Sequence, residues 1–149
     1  MIRVQTEDFD IGTEVAALTA GRTDIGAVVT FSGLVRDANG GSLASLELEH
    51  YPGMTEKELA RIEREAHERW PLQASLIIHR VGKLLPGDNI VLVVTASAHR
   101  AAAFEAASFL MDYLKTRAPF WKREHLVDGR LGGWVEASEA DDAAAGRWA

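Results

Sequence analysis

The sequence predicts an α+β fold with a mainly antiparallel sheet in a single domain, residues 1–149, on three observations. Residues 74–81 (ASLIIHRV) and 89–95 (NIVLVVT) are β-branched apolar runs joined through Pro86-Gly87-Asp88-Asn89, the pattern of an antiparallel strand pair. Two longer stretches, 55–70 and 98–117, carry apolar residues at helical spacing, as amphipathic helices do. The order of these elements lacks the regular alternation of a βαβ protein. A chain of 149 residues buries roughly 68–70% of its unfolded surface, enough for one core.

In chain order, a short N-terminal segment precedes a first helix expected over 10–20, capped by Asp10, with Val15 and Leu18 turned inward. Residues 25–35 (IGAVVTFSGLV) read as a mostly buried strand. Asp37-Ala38-Asn39-Gly40-Gly41 then reads as a loop. Leu46, Leu48 and His50 alternate with Glu47, Glu49 and Tyr51, the period of a strand with one wet face. Pro52-Gly53 ends it. Thr55 with Glu58 has the spacing of a capping box, and Leu59, Ile62 and Ala66 follow as a helical stripe that stops before Pro71. After the strand pair, Ser97 is the expected N-cap of the 98–117 helix, with Phe104, Ala107, Met111 and Leu114 on its inner face. Pro119 ends that helix. A last strand is expected around 121–127, followed by Gly129, Gly132-Gly133, Trp134 and a tail rich in alanine and acids.

Composition narrows the function. Hydrophobic residues make up 47% and charged residues 26%, an ordinary globular balance. No stretch approaches the roughly 20 apolar residues that cross a bilayer, and the start MIRVQTEDFD carries acids where a signal peptide needs an apolar core, so a cytoplasmic protein without membrane contact is expected. The net charge of −6 argues against nucleic acid as a partner, which takes a broad basic face. There is no cysteine, so any sulfur chemistry must use sulfur brought by another molecule. Histidines and acids do not pair at metal-ligand spacing, and neither a metal nor a cofactor is expected. The two Gly-Gly pairs lack the lysine and spacing of a phosphate-binding loop and serve as turns.

Charge is unevenly distributed. Between His99 and Arg123 the cations Arg100, Lys115, Arg117, Lys122 and Arg123 outnumber Glu105 and Asp112 by three. His99-Arg100 stands in the predicted first turn of a helix, where the macrodipole disfavours a cation. A bound anion would resolve that conflict, since free N–H groups with His and Arg form a phosphate site; an exposed pair facing solvent or Glu105 is the alternative. Lys115 and Arg117 suit a helix C-terminus as surface cations. Equally, Met111 one turn before Lys115, together with Phe120 and Trp121, would crowd the lysine with apolar surface and cations. Such crowding lowers its pKa and fits it for proton transfer or nucleophilic chemistry. Phe31 and Arg36 flank the end of the first long strand; Phe31 reads as core, and Arg36 alone is uninformative. His50 and His79 fall within strands and read as structural.

Three longer runs carry a family resemblance: LEHYPGMTEK at 48–57, SAHR at 97–100 and MDYLKTRAPFWKRE at 111–124. Together they resemble the large, catalytic subunit of molybdopterin synthase, and the likeness extends from GAVVTFSG at 26–33 to WVEA at 134–137. The resemblance implies an α/β hammerhead-type fold and a central homodimer within a heterotetramer. Each large subunit would take one small ubiquitin-like sulfur-carrier subunit, whose C-terminal Gly-Gly tail ends in a thiocarboxylate. It implies transfer of two sulfurs to cyclic pyranopterin monophosphate, giving the dithiolene of molybdopterin. By position, Lys115 and Lys122 correspond to the catalytic lysines. Leu34, Val35, Arg36, His99, Arg100, Arg123 and Glu124, with the two lysines, correspond to residues at the substrate, and Phe31 and Met111 to pocket walls. Leu34 stands where some relatives have lysine, and Ser138 where relatives can carry arginine. Two other readings are open to the same residues. One is a module that docks a ubiquitin-like tail without chemistry; the other is a phosphometabolite-binding domain that needs no protein partner.

Overall fold

The computed structural model describes residues 1–37, 40–135 and 139–149, and the side chains of 139 and 140 are outside the description. Ala38 and Asn39 of the expected loop, and Ser138, therefore lie outside the described residues. The elements are β1 (Ile2–Gln5), α1 (Ile11–Thr19), β2 (Ala27–Leu34), β3 (Leu43–His50), α2 (Met54–Arg69), β4 (Leu72–Arg80), β5 (Gly82–Leu84), β6 (Asn89–Ser97), α3 (Arg100–Arg117), β7 (Phe120–Leu126) and α4 (Glu139–Gly146).

Two sheets form, in the orders β1-β4-β6-β2 and β5-β3-β7. Every strand pair is antiparallel except β1 with β4, so the expected α+β, mainly antiparallel class is the one observed. The predicted pair of β-branched runs is β4 and β6, with Ile77 opposite Val93. Pleating sends alternate residues of this pair to opposite faces. Ile77, Val91 and Val93 meet Leu59, Ile62 and Ala66 of α2 and Phe109, Leu110 and Leu114 of α3. On the other face Leu76, Ile78, Leu92 and Val94 meet Phe9 and the inward side of α1. The small sheet has its own core of Val35, Leu43, Leu46, Leu48 and Leu84, and Ile90 packs against both this core and that of α2 and α3.

Several elements match their sequence signals. Asp10 Oδ1 accepts the Thr13 amide at 2.8 Å as the N-cap of α1. Val15 and Leu18 pack inward. The turn Leu85-Pro86-Gly87-Asp88 closes through the Asp88 amide to the Leu85 carbonyl at 2.9 Å, with Gly87 at φ 90°, a conformation open to glycine.

Other elements depart from expectation. Residues 27–34 form a strand, but one at the sheet edge rather than mostly buried, leaving Val28, Phe31 and Leu34 exposed. The capping contact of α2 sits two residues earlier than the Thr55–Glu58 spacing suggests. Glu56 accepts the Gly53 amide at 3.2 Å, while buried Thr55 accepts from the Tyr51 amide and donates to the Pro119 carbonyl, both at 2.9 Å. Ser97 ends β6 and donates to the Pro71 carbonyl at 2.9 Å, so α3 begins two residues later, with His99 at the N-cap and no side-chain cap bond. The inner face of α3 is Ala103, Ala106, Ala107, Phe109, Leu110, Tyr113 and Leu114, and Phe104 is exposed. Its three alanines have the small side chains that let a helix lie close on a sheet; the larger Phe104 had pointed to a rotated stripe. β1, the three-residue β5 and α4 had no expected counterpart. Each is short, or lacks an apolar period that would announce it.

Candidate active site

α3 runs back along β6, so its C-terminal turn reaches the end of β6 where Ile90 lies. There it meets the small sheet, and a cleft of about 120 Å³ opens at the junction. Its walls include Leu46 and Leu48 of β3, Ile90 of β6, Leu114 of α3 and Phe120 of β7. Lys115 from α3 and Lys122 from β7 both line it, with Asp141 of α4 and His79 of β4. Lys122 reaches the cleft because it pairs with Leu48 across β7 and β3, which places it on the sheet's inner face.

Electrostatics separate Lys115 from ordinary surface cations. Lys115 is exposed along one flank and lines the cleft with the other. Burial lowers its pKa from the usual lysine value, the Lys122 charge lowers it further, and Asp141 opposes both. Deep in the cleft, His79 is 3% exposed, and burial holds its pKa down to about 4. Its Nδ1 lies 2.8 Å from the Arg80 carbonyl oxygen, and its ring stacks on Phe120 with centroids 3.7 Å apart.

The remaining predicted residues are spread more widely. Arg123 faces away from Lys122, as strand alternation requires. Its Nη2 donates to Glu47 at 3.1 Å, and its guanidinium lies over the Trp134 ring at 4.4 Å. His125 shares the same Glu47 oxygen at 2.7 Å, and these two partners hold the Glu47 carboxyl below its usual pKa, His125 first. Glu124 lies on the inner face with Lys122, opposite Leu46. Val35 is buried in the small-sheet core, with its amide bonded to the Asp88 carbonyl and its carbonyl to the Gly87 amide, both at 2.8 Å. Arg36 and Leu34 are exposed beside it, at the end of the large sheet where β6 begins. Phe31 and Met111 do not line the cleft: Phe31 lies on the exposed edge, and Met111 packs against the main core. His99 and Arg100, both exposed, stand at the far end of α3. At 1.5 Å per residue, 16 residues separate His99 from Lys115 by about 24 Å.

Comparison with known proteins places this geometry in a family. The family model described as MoaE protein matches residues 4–117. The chain belongs to the MoaE protein family. It is 67% identical over 147 residues to a molybdopterin synthase catalytic subunit of Mesorhizobium japonicum, covering 99% of this chain and 92% of that protein. A MoaE protein structure from Burkholderia ambifaria superposes with a TM-score of 0.85 at 55% identity, covering 99% of this chain and 97% of that one. The molybdopterin synthase structure from Staphylococcus aureus gives 0.80 at 34% identity, over 89% and 95% of the two chains. The likeness read from the three long runs is therefore correct. This MoaE chain is an α+β enzyme subunit of molybdenum cofactor biosynthesis, and among its described residues no helix is long and apolar enough to cross a membrane.

Two members of this MoaE cleft escaped the reading of single residues. Asp141 sits in a tail whose alanines and acids gave no sign of a docked helix. His79 did leave a signal: Ser75, Ile77 and His79 share the strand face that meets α2 and α3, so its imidazole occupies a core position. A polar ring in the buried phase of a strand needs a partner or a purpose.

Proposed function

We propose that this chain transfers sulfur from the C-terminal thiocarboxylate of a small ubiquitin-like partner to cyclic pyranopterin monophosphate in the cytoplasm, with Lys115 and Lys122 as the catalytic groups. The observation that carries this reading is their convergence on one cleft, where burial and mutual charge lower the pKa of Lys115. An ammonium of lowered pKa exchanges a proton more readily near neutrality and still supports developing negative charge. The cleft is narrow and walled by leucines and aromatic rings, a shape suited to an extended Gly-Gly tail. The thiocarboxylate sulfur adds to an electrophilic carbon of the pterin side chain, the bond from that carbon to oxygen breaks, and the departing oxygen takes its electron pair and a proton supplied by Lys115 or Lys122, which also stabilise the charge. Water then cleaves the acyl–sulfur bond, returning the tail as a carboxylate and leaving the sulfur on the pterin.

His99 and Arg100 do not serve the same cleft, given their separation along α3. Our reading assigns them to the cleft of a second copy, with Arg36 and Glu124 contributing at the near cleft. Exposed Val28, Phe31 and Leu34 on the edge strand, with Phe104 beside it on α3, offer the apolar, unpaired edge that a second copy would cover.

Product formation from thiocarboxylated small subunit and cyclic pyranopterin monophosphate, followed by mass spectrometry, tests the assignment. Lys115→Ala is expected to fold and bind the partner yet form no molybdopterin, and wild-type product levels would refute the role. Lys115→Arg separates chemistry from docking: it keeps the charge but not the exchangeable proton, so full activity would favour a docking module.

A further inference from the structure

His79 presents one nitrogen that none of the described residues uses. A carbonyl oxygen only accepts, so the 2.8 Å contact between Nδ1 and the Arg80 carbonyl fixes the proton on Nδ1 and leaves a lone pair on Nε2. The ring cannot turn away, because it is 3% exposed and stacked on Phe120 at an interplanar angle of 17°. Nε2 makes no hydrogen bond among the described residues and is open to the cleft rather than sealed from it. It belongs to the lining of the cleft that also holds Lys115 and Lys122.

We propose that His79 Nε2 accepts a hydrogen bond from the backbone N–H of the last residue of the tail that enters this cleft, making His79 a substrate-contacting residue. The inference rests on the sulfur-transfer reading above and adds a residue to it. An amide N–H adjoins the terminal thiocarboxylate, so one cleft seats the amide on His79 and the sulfur end near the lysines. The depth of His79 favours a thin occupant, and an extended backbone is thinner than a phosphorylated tricyclic ring. Glycine has no side chain to obstruct the approach.

The imidazole must stay neutral to accept. The charged and titratable groups around it are Lys115 from α3, Lys122 from β7, His50 from β3 and Asp141 from α4. Burial is the largest influence, and Lys115 and His50 add to it, so the ring remains unprotonated across physiological pH.

The test is a cycle of partner-binding measurements by calorimetry on the full chain. Unthiocarboxylated small subunit is prepared by ligation with either glycine or N-methylglycine as its last residue. His79→Phe keeps an aromatic ring on Phe120 and removes the acceptor, whereas His79→Gln restores an acceptor near the Nε2 position. The glycine tail is expected to bind His79→Phe roughly threefold to tenfold more weakly than wild type, the range for one lost hydrogen bond, with partial recovery in His79→Gln. N-methylation should weaken binding to wild type by a similar factor and leave His79→Phe unaffected. Additive losses overturn the proposal, as does an unchanged partner affinity with a raised KM for the pterin. Should His79→Phe fail to fold, the N-methylated tail still decides against wild type and His79→Gln: equal binding of both tails to wild type overturns it. Product formation by Lys115→Ala would instead overturn the sulfur-transfer reading, so the two failures are distinguishable.

Discussion

Replacing Trp148 with alanine tests how α4 is held over the cleft. The indole stands edge-on to Trp70 and Phe109, with centroids 5.5 and 5.8 Å away, and its Nε1 donates to Asp112 Oδ2 at 2.6 Å. Each such ring pair contributes about 0.5–1.5 kcal/mol beyond area burial, and a hydrogen bond to a charged acceptor about 1.5–3 kcal/mol. Fully buried Trp→Ala changes cost about 3–5 kcal/mol. Trp148 is only half-buried, and Asp112 keeps Arg147 Nη2 at 2.8 Å, so we discount the loss to about 2–4 kcal/mol. It should fall on local opening of α4, because the sheet core is untouched. At about 1.4 kcal/mol per tenfold, amide exchange in α4 accelerates roughly 30-fold to several-hundredfold. Asp141, which holds the Lys115 pKa up against burial and Lys122, then moves away, and the Lys115 pKa falls further. Hydrogen-exchange mass spectrometry of residues 139–149 and NMR titration of Lys115 read the two effects. Unchanged exchange in α4, or a Lys115 pKa that rises, would refute the reasoning.

Two more outcomes follow from the geometry. Burial holds the folded pKa of His79 at about 4, below the usual histidine value of 6.5, so the unfolded chain binds the extra proton first; this contribution is fully present above pH 6.5 and is lost as pH falls through 4. Urea unfolding should show up to about 3 kcal/mol of acid destabilisation between pH 7 and 4 that His79→Gln removes; the same acid slope in both proteins contradicts this. At Gly26, an added Cβ would stand 2.2 Å from the Ala98 carbonyl oxygen, so Gly26→Ala must displace the segment leading to His99. Such overpacking costs about 1–3 kcal/mol, or roughly 3–10 °C in Tm at this chain length, and an unchanged Tm in calorimetry would show that the contact relaxes freely.

What the sequence made legible was decided by period and punctuation. β4, β6 and α2 carry strong apolar periods bounded by proline and glycine, and all three formed where expected. α3 was legible in length but not in rotation: Phe104 outweighed the alanines as a hydrophobic mark, although alanines face the sheet. β2 has a buried strand's composition, yet it sits at an edge, because composition does not reveal which strand lacks a neighbour. At the site, Lys115 and Lys122 stand seven residues apart on different elements, and only the turn at Ala118-Pro119 brings both to one cleft. Arg123 shows the reverse: adjacent to Lys122 in sequence, it faces the opposite side of the sheet.

Two opposed fields act on Lys115, and their balance explains why this position suits a lysine. A helix C-terminus favours a cation by about 0.3–1 kcal/mol where it is exposed, and Asp141 acts in the same sense. Burial and Lys122 act against it, and the net shift is downward, so the crowded cleft outweighs the favourable acid. Arg117, two residues on, shares the helix end but lies over the Tyr113 ring at 4.5 Å. A guanidinium there can steady an aromatic face but cannot exchange a proton. One helix terminus thus presents a fixed cation on one side and an amine of lowered pKa on the other. The turn into β7 then brings Lys122 close enough to enforce the difference.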